Sequence, residues 1–380
     1  MDLELSEEQE ALRRTVRRFL GERAPMTYVR EMLDDDHGTT DAVWRGLAGL
    51  GVTGLLVPED HGGAEMGMVD VGVVLEELGR ALHPGPFLSS AVAAVSTVLA
   101  VGSSADRADL LPGLADGSTR GTLGLLEPDA RAVWRTPSVR CEGDRLSGTK
   151  VMVPDAMAAD IVLVSAACDD GLGVLAVDPR ADGVRITPTP TVDGTRKHGT
   201  VVLDRAPGRR LGGRGIDATD AVAAVVDRVL TALVVDGLGA AEVALGMAVA
   251  YAKERTQFDR PIGSFQAVQH LCADMLVSLE LGRAGAYYAL WAADEATQGL
   301  EHRAEAHRAA TMAKAFAGDA FFRIGANAIQ VFGGIGFTWE HDIHLFYKRL
   351  LTLQQAHGTG AEHLEELASL ILPPISSSTG

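Results

Sequence analysis

The stretch Glu254-Arg255-Thr256-Gln257-Phe258-Asp259-Arg260-Pro261-Ile262-Gly263-Ser264-Phe265-Gln266 breaks a long helical pattern with a turn at Arg260-Pro261-Ile262. Arg255 offers a planar fork suited to a phosphate. Phe258 offers a flat apolar face, and Gln257 and Gln266 offer amide hydrogen bonds. An ordinary helix end with core residues would read the same way. On both sides, from 216 to 372, the chain keeps to long patterns rich in Ala, Leu and Val. At least four helices fit there, which predicts a helix bundle. Near its far end, Gln330 precedes Gly333 and Gly334. With no Cβ, these glycines let backbone N–H groups approach a phosphate closely; a helix C-terminus that needs glycine is the alternative.

Outward from the bundle, helical periodicity fades between about 116 and 215. β-type runs at 121–126, 145–153, 161–166, 173–177, 184–188 and 199–203 are separated by turn clusters such as Asp169-Asp170-Gly171 and Asp182-Gly183. Residues 1–115 read as helical. Ser6-Glu7-Glu8-Gln9 is a capping box, followed by the apolar stripe Leu12, Val16, Phe19 and Leu20. Trp44, Leu47 and Leu50 mark a second helix ended by Gly51, and another runs from about 69 to 80 before Pro84-Gly85-Pro86. The predicted fold class is α+β: an N-terminal helical domain at 1–115, a middle β-sandwich or barrel domain at 116–215, and a C-terminal four-helix bundle at 216–375. The most apolar stretch, 221–252, is interrupted by Asp227, Arg228, Asp236 and Glu242. A buried helix pair fits it better than a membrane span. The tail Ser376-Ser377-Ser378-Thr379-Gly380 is expected to fray.

The chain carries 34 Lys and Arg against 51 Asp and Glu, a net charge of −17. That field repels phosphate backbones and argues against general nucleic-acid binding. It still permits an anionic nucleotide in a local site of backbone N–H groups. Cys141, Cys168 and Cys272 form neither a CxxC pair nor a metal knuckle, so reduced cytoplasmic thiols are expected. The acidic N-terminus shows no signal-peptide core. His341 and His344 sit at i, i+3 without a third ligand, and no metal is expected.

The α–β–α order resembles the acyl-CoA dehydrogenase family, and motifs along nearly the whole chain carry that resemblance. They are Leu55-Leu56-Val57-Pro58-Glu59-Asp60-His61-Gly62-Gly63, Glu76-Glu77-Leu78-Gly79-Arg80, Leu146-Ser147-Gly148-Thr149-Lys150, Thr191-Val192-Asp193-Gly194-Thr195-Arg196, the 254–266 stretch, and Ala328-Ile329-Gln330-Val331-Phe332-Gly333-Gly334-Ile335-Gly336-Phe337. The resemblance implies an FAD-containing tetramer built from dimers that oxidises an acyl-CoA thioester to the 2-enoyl-CoA. A carboxylate with a pKa raised by burial would take the α-proton while the β-hydrogen leaves as hydride to the flavin. It also implies that Arg255, Gln257, Phe258, Ile262, Gln266, Gln330, Gly333 and Gly334 hold the FAD of a dimer partner, and that Thr359 contacts the chain's own. Asp259 stands where the family usually has Gly.

Against that pattern the catalytic half departs. Where the family often reads Tyr-Glu-Gly-Thr, this chain reads Ala356-His357-Gly358-Thr359, so His357 occupies the position of the base. The family's other placement of the base falls on Val229, and Asp227 would face another side of the helix. A Thr-Glu-Pro flavin motif is replaced by Leu126-Glu127-Pro128, followed by Asp129-Ala130-Arg131, and a Trp-Ile-Thr motif by Met152-Val153-Pro154. Pro154 has neither N–H nor hydroxyl. Residues that would serve a partner's cofactor persist; of the polar residues that would serve the chain's own, only Thr359 does. The resemblance thus extends to the non-catalytic, beta-type subunit of bacterial heterotetrameric members, which completes a partner's FAD site. A competent homotetramer with His357 as a weak base and a purely structural subunit are the alternatives. Implied partners are an acyl-CoA substrate, a homologous acyl-CoA dehydrogenase subunit in a homo- or heterotetramer, and an electron-transfer flavoprotein, with neither nucleic acid nor membrane.

Overall fold

Gln9 N donates to Ser6 Oγ and Ser6 N to Gln9 Oε1, so the capping box forms and opens helix α1 (Glu7–Arg23) in the computed structural model, which describes residues 4–128 and 134–372. The Asp129-Ala130-Arg131 turn and the tail from 373 lie outside the described residues. Five more helices complete the N-terminal part: α2 (Met26–Met32), α3 (Asp41–Gly49), α4 (Met68–Arg80), α5 (Val95–Val101) and α6 (Ser104–Ala115). A seven-residue π-helical turn, Leu88–Ala94, leads into α5.

Eight strands follow: β1 (Gly121–Gly124), β2 (Arg140–Glu142), β3 (Arg145–Pro154), β4 (Ile161–Cys168), β5 (Gly171–Val177), β6 (Val184–Pro188), β7 (His198–Pro207) and β8 (Arg209–Arg210). They form one curled sheet in the order β6-β7-β3-β2-β4-β5-β8, with β1 added in parallel to β4. The short strands β2 and β8 escape a periodicity reading because three and two residues are too few to show alternation. The sheet closes over its own small core, which includes Val139, Leu146, Val162, Leu175 and Val201.

The remaining chain is helical apart from a tiny hairpin, β9 (Thr256–Gln257) and β10 (Arg260–Pro261). The stretch read as a helix pair is a single helix, α7 (Thr219–Glu254), of 36 residues. Its glycines are contact points, not breaks. A Cβ on Gly239 would lie 2.0 Å from Glu76 O, and one on Gly79 of α4 would lie 1.9 Å from Asp236 O. The two helices therefore cross backbone to backbone, and only glycine permits it. Around α7 pack α8 (Gln266–Glu295), α9 (Leu300–Phe332) and α10 (Ile343–Gln355), with α11 (Gly360–Ile371) against α9. Among the described residues no helix is long and apolar enough to cross a membrane.

Several charges inside this fold are paired. Arg17 forks onto Glu77 with both contacts at 2.7 Å, while Glu76 accepts from Arg283 and from the Tyr287 hydroxyl, each at 2.6 Å. The Glu-Glu-Leu-Gly-Arg motif thus ties α4 to α1 and α8. Buried Arg349 of α10 donates through Nε to Asp193 at 2.8 Å, through Nη1 to Asp236 at 3.0 Å and through Nη2 to Thr195 Oγ1 at 2.6 Å. Arg196 reaches Asp236 at 2.7 Å. Burial pushes the Asp236 carboxyl up, but Arg196 and Arg349 outweigh it and hold it below the usual carboxylate range.

Replacing Arg349 by Leu strands the Asp193 and Asp236 carboxylates in the interior, so urea unfolding is expected to show a loss of about 3–5 kcal/mol. Acid should weaken the fold as well. Burial, then Arg196 and Arg349, push His83 down to about 3; burial, then Arg196, push His198 down to about 4. A depressed pKa contributes stability that is present above the unfolded value of about 6.5. That contribution is lost as pH falls through the folded value, at about 1.4 kcal/mol per pH unit for each such histidine. Urea midpoints should drop between pH 7 and pH 4, and His83→Gln should flatten the slope.

Candidate functional site

The last turn of α7 sets the position of the 254–266 stretch. Arg255 N donates to Tyr251 O at 2.8 Å, after which the backbone turns extended and enters the hairpin. The two residues between β9 and β10, Phe258 and Asp259, have φ of 54° and 64°. That is the turn a two-residue hairpin demands. Asp tolerates it where glycine would be the default. A bulky residue there is strained, and Phe258 is nonetheless held in it, edge-on to Phe265 at 6.1 Å. The Arg260 guanidinium lies over Phe265 at 4.0 Å.

Tyr251 stacks on Phe332 at 4.4 Å, which brings the C-terminal ends of α7 and α9 together. The turn at Arg255 and the glycines at 333 and 334 therefore share one end of the bundle. Arg255, Gln257, Phe258, Gln266, Gln330, Gly333 and Gly334 are all exposed, and Ile262 is half-buried. Phe258 is 87% exposed. The Arg255 side chain has no hydrogen-bond or ion-pair partner among the described residues. A Cβ at Gly333 or Gly334 would meet nothing within 4 Å, so the surface there is open.

The other half of the expected site lies at the turn between α10 and α11. Buried Lys314 of α9 donates to Gly358 O at 2.8 Å and to Gln354 O at 3.4 Å, fixing the turn. His363 Nε2 bonds His357 O at 3.0 Å. Thr359 caps α11: its Oγ1 accepts from Glu362 N at 3.4 Å and donates to the Glu362 carboxylate at 2.9 Å, which occupies the hydroxyl. His357, with φ of 54°, lines a cavity with Leu88, Leu126, Met152, Pro154 and Val229. The cavity measures about 30 Å³, room for about one water. Burial, then the charge of Lys314, push His357 down to about 4. It is a neutral imidazole at neutral pH and a feeble base. Asp227 turns away from this cavity to bond His307 Nδ1 at 2.8 Å. Asp227 and Glu366 together drive His307 up to about 10.

Sequence reading missed two interior arrangements. Lys314 is one; a lone charge on the Ala-rich face of α9 was the available signal. The other joins two motifs read separately: Lys150 Nζ donates to Glu127 Oε1 at 2.6 Å and to Ser165 Oγ at 3.0 Å. Glu127 survives beside the altered Leu126 because it neutralises this buried lysine. Among the described residues no cluster of His, Cys, Asp and Glu could hold a metal ion.

A bound dinucleotide can be tested against these two regions. The exposed end fits: an unpaired guanidinium, an aromatic face and two glycines without crowding are what a pyrophosphate and an adenine require. The interior does not fit a flavin ring, because a 30 Å³ space walled by Leu126, Met152 and Pro154 lacks the volume, and the hydroxyls of Ser89 and Thr122 on its lining already bond Asp155 and Pro154 O.

The family profile described as "Acyl-CoA dehydrogenase, N-terminal domain" matches residues 6–118, and "Acyl-CoA dehydrogenase, C-terminal domain" matches 213–372. The "Acyl-CoA dehydrogenase IpdE2" of Mycolicibacterium smegmatis is 32% identical over 367 residues, covering 96% of this chain and 98% of that protein. A solved Tcur3481–Tcur3483 steroid ACAD variant is 34% identical with a TM-score of 0.86, covering 96% of this chain and 98% of its own. The ChsE4–ChsE5 complex from Mycobacterium tuberculosis contains a chain 26% identical with a TM-score of 0.86, covering 98% of this chain and all of its own. Helical, sheet and bundle parts in this order, with both profiles and full-length relatives in agreement, place the chain in the acyl-CoA dehydrogenase family of FAD-dependent oxidoreductases.

Proposed function

We propose that this chain takes part in α,β-dehydrogenation of an acyl-CoA thioester as the subunit that completes a homologous partner's FAD site. The observation that carries this reading is the contrast between an open, outward-facing cradle at 255–266 and 330–334 and a cavity of only about 30 Å³ beside Leu126, Met152 and Pro154. In this arrangement Arg255 pairs with the pyrophosphate, Phe258 lies against the adenine, and Gln257, Gln266 and Gln330 orient the nucleotide. Ile262 supports the hairpin from beneath. The flavin, when bound, supplies the hydride acceptor. The partner contributes the carboxylate base, since His357 and Val229 provide none, and the groove for the acyl chain. Two of the related solved structures carry names of paired proteins, Tcur3481–Tcur3483 and ChsE4–ChsE5, in keeping with an assembly of two kinds of subunit. An electron-transfer flavoprotein is the acceptor this chemistry calls for. Three free thiols are in keeping with the cytoplasm.

One cradle per heterodimer means two FAD in an α2β2 tetramer. Native mass spectrometry of the chain co-expressed with its homologous partner should show two; a homotetramer of this chain holding four tightly would overturn the proposal. Arg255→Ala should lower FAD retention by the pair about tenfold, since a charge-assisted hydrogen bond contributes roughly 1.5–3 kcal/mol. Purified alone, the chain should turn over acyl-CoA negligibly. His357→Glu should not rescue it, because a carboxylate adds no room for a flavin ring. Ordinary enzyme rates from the wild-type homo-oligomer would refute this assignment.

A further inference from the structure

Two of the three cysteines meet on the middle sheet, away from the cradle and the cavity. β2 pairs with β4 in parallel, with Arg140 opposite Ala167, and Ala167 N donates to Val139 O at 2.8 Å. One residue further along each strand stand Cys141 and Cys168. They therefore project from the same face. Cys141 is buried in the sheet's core, and half-buried Cys168 packs on its rim. Adjacent strands are about 4.8 Å apart, within the roughly 4.4–6.8 Å between Cα atoms that a disulfide spans.

The surroundings differ for the two sulfurs. Cys141 donates to Gly143 O at 3.1 Å. Burial, then neighbouring Cys168, push its thiol up to about 12, so it stays protonated. Cys168 faces a gap left by Gly173: a Cβ there would lie 2.6 Å from Cys168 Sγ and 3.1 Å from Arg210 Nε. The missing side chain lets sulfur and guanidinium share that space, although Arg210 also pairs with Asp170 at 2.5 Å. The Cys168 thiol also donates weakly to Ala166 O at 3.8 Å. The accessible sulfur beside a cation and the buried one behind it have the layout of an attacking and a resolving thiol.

We propose that Cys168 and Cys141 form a peroxide-responsive pair that closes to an intramolecular disulfide. The Cys168 sulfur attacks one oxygen of hydrogen peroxide and the O–O bond breaks. The departing hydroxide takes up the thiol proton as water, leaving Cys168 as a sulfenic acid. The Cys141 sulfur then attacks the Cys168 sulfur. The S–O bond breaks, and the hydroxyl leaves with the Cys141 proton as a second water. Two thiols have lost two electrons and one peroxide has gained them. The new bond staples β2 to β4 where the ladder has a single aligned pair.

The test treats the full chain with hydrogen peroxide, blocks remaining thiols with iodoacetamide, and maps tryptic peptides without reduction. Cleavage at Arg140, Arg145, Lys150 and Arg180 separates peptides 141–145 and 151–180, each with one of the two cysteines. Free thiols should fall from three to one, the two peptides should appear linked, and dithiothreitol should restore all three thiols. In Cys141→Ser, dimedone should capture Cys168 as a sulfenic acid. The pair is ruled out if the native chain keeps all its thiols, if Cys272 is oxidised first, or if Cys168 proceeds to sulfinic acid with Cys141 still alkylated. The native chain alone decides the matter should the Cys141→Ser protein not fold.

Discussion

The guanidinium of Arg349 is where the three parts of the molecule meet. It extends from α10 in the bundle, takes Asp193 and Thr195 from the loop between β6 and β7, and takes Asp236 from the middle of α7. Its second terminal nitrogen also lies 3.5 Å from Leu82 O, just past α4. Desolvating so many charges is costly, and only near-complete satisfaction of donors and acceptors offsets it. That condition fixes the sheet relative to the bundle: a small shift would leave a carboxylate buried and unpaired. The Thr-Val-Asp-Gly-Thr-Arg segment is therefore a clasp between parts, whatever its appearance as a surface loop.

Around this clasp the backbone leaves little slack. Gly79 and Gly239 let α4 and α7 touch, and the same contact places Asp236 against the end of α4. Glu76, Glu77 and Glu242 then meet Arg17, Arg80 and Arg283 around the crossing. A helix as long as α7 is held rigid over its length, so the position of its last turn, and of Arg255, follows from contacts far away. Precise placement of an exposed cradle is what the proposed shared site would require.

The two regions of the site are opposites in physical terms. At the surface, a phenylalanine sits in a left-handed turn and a guanidinium has no partner among the described residues; neither arrangement helps this chain fold. Inside, Leu126, Met152, Pro154 and Val229 leave a cavity of only about 30 Å³, and the turn at His357 is secured by Lys314. The costs lie on the exposed region and the stability on the interior one.

Much of this was legible in the sequence, because helix and strand arise from neighbours along the chain. The Ser6 capping box, the α–β–α order and the strands β3 to β7 follow from periodicity and turn chemistry within a few residues. The motif order determined the family, and Val229 and His357 stand where the resemblance implies a carboxylate base. Tertiary structure decided the rest. Whether a glycine in α7 ends a helix or seats another one depends on α4, far earlier in the sequence, where Gly79 meets the helix that carries Gly239. The small cavity needs side chains from the π-helical turn, the sheet, α7 and the turn after α10 to converge. The pairing of β2 with β4, which sets Cys141 beside Cys168, rests on one aligned position that no local pattern announces. Local hydrogen bonding is written between near neighbours; burial and contact are set by which distant surfaces exclude water together.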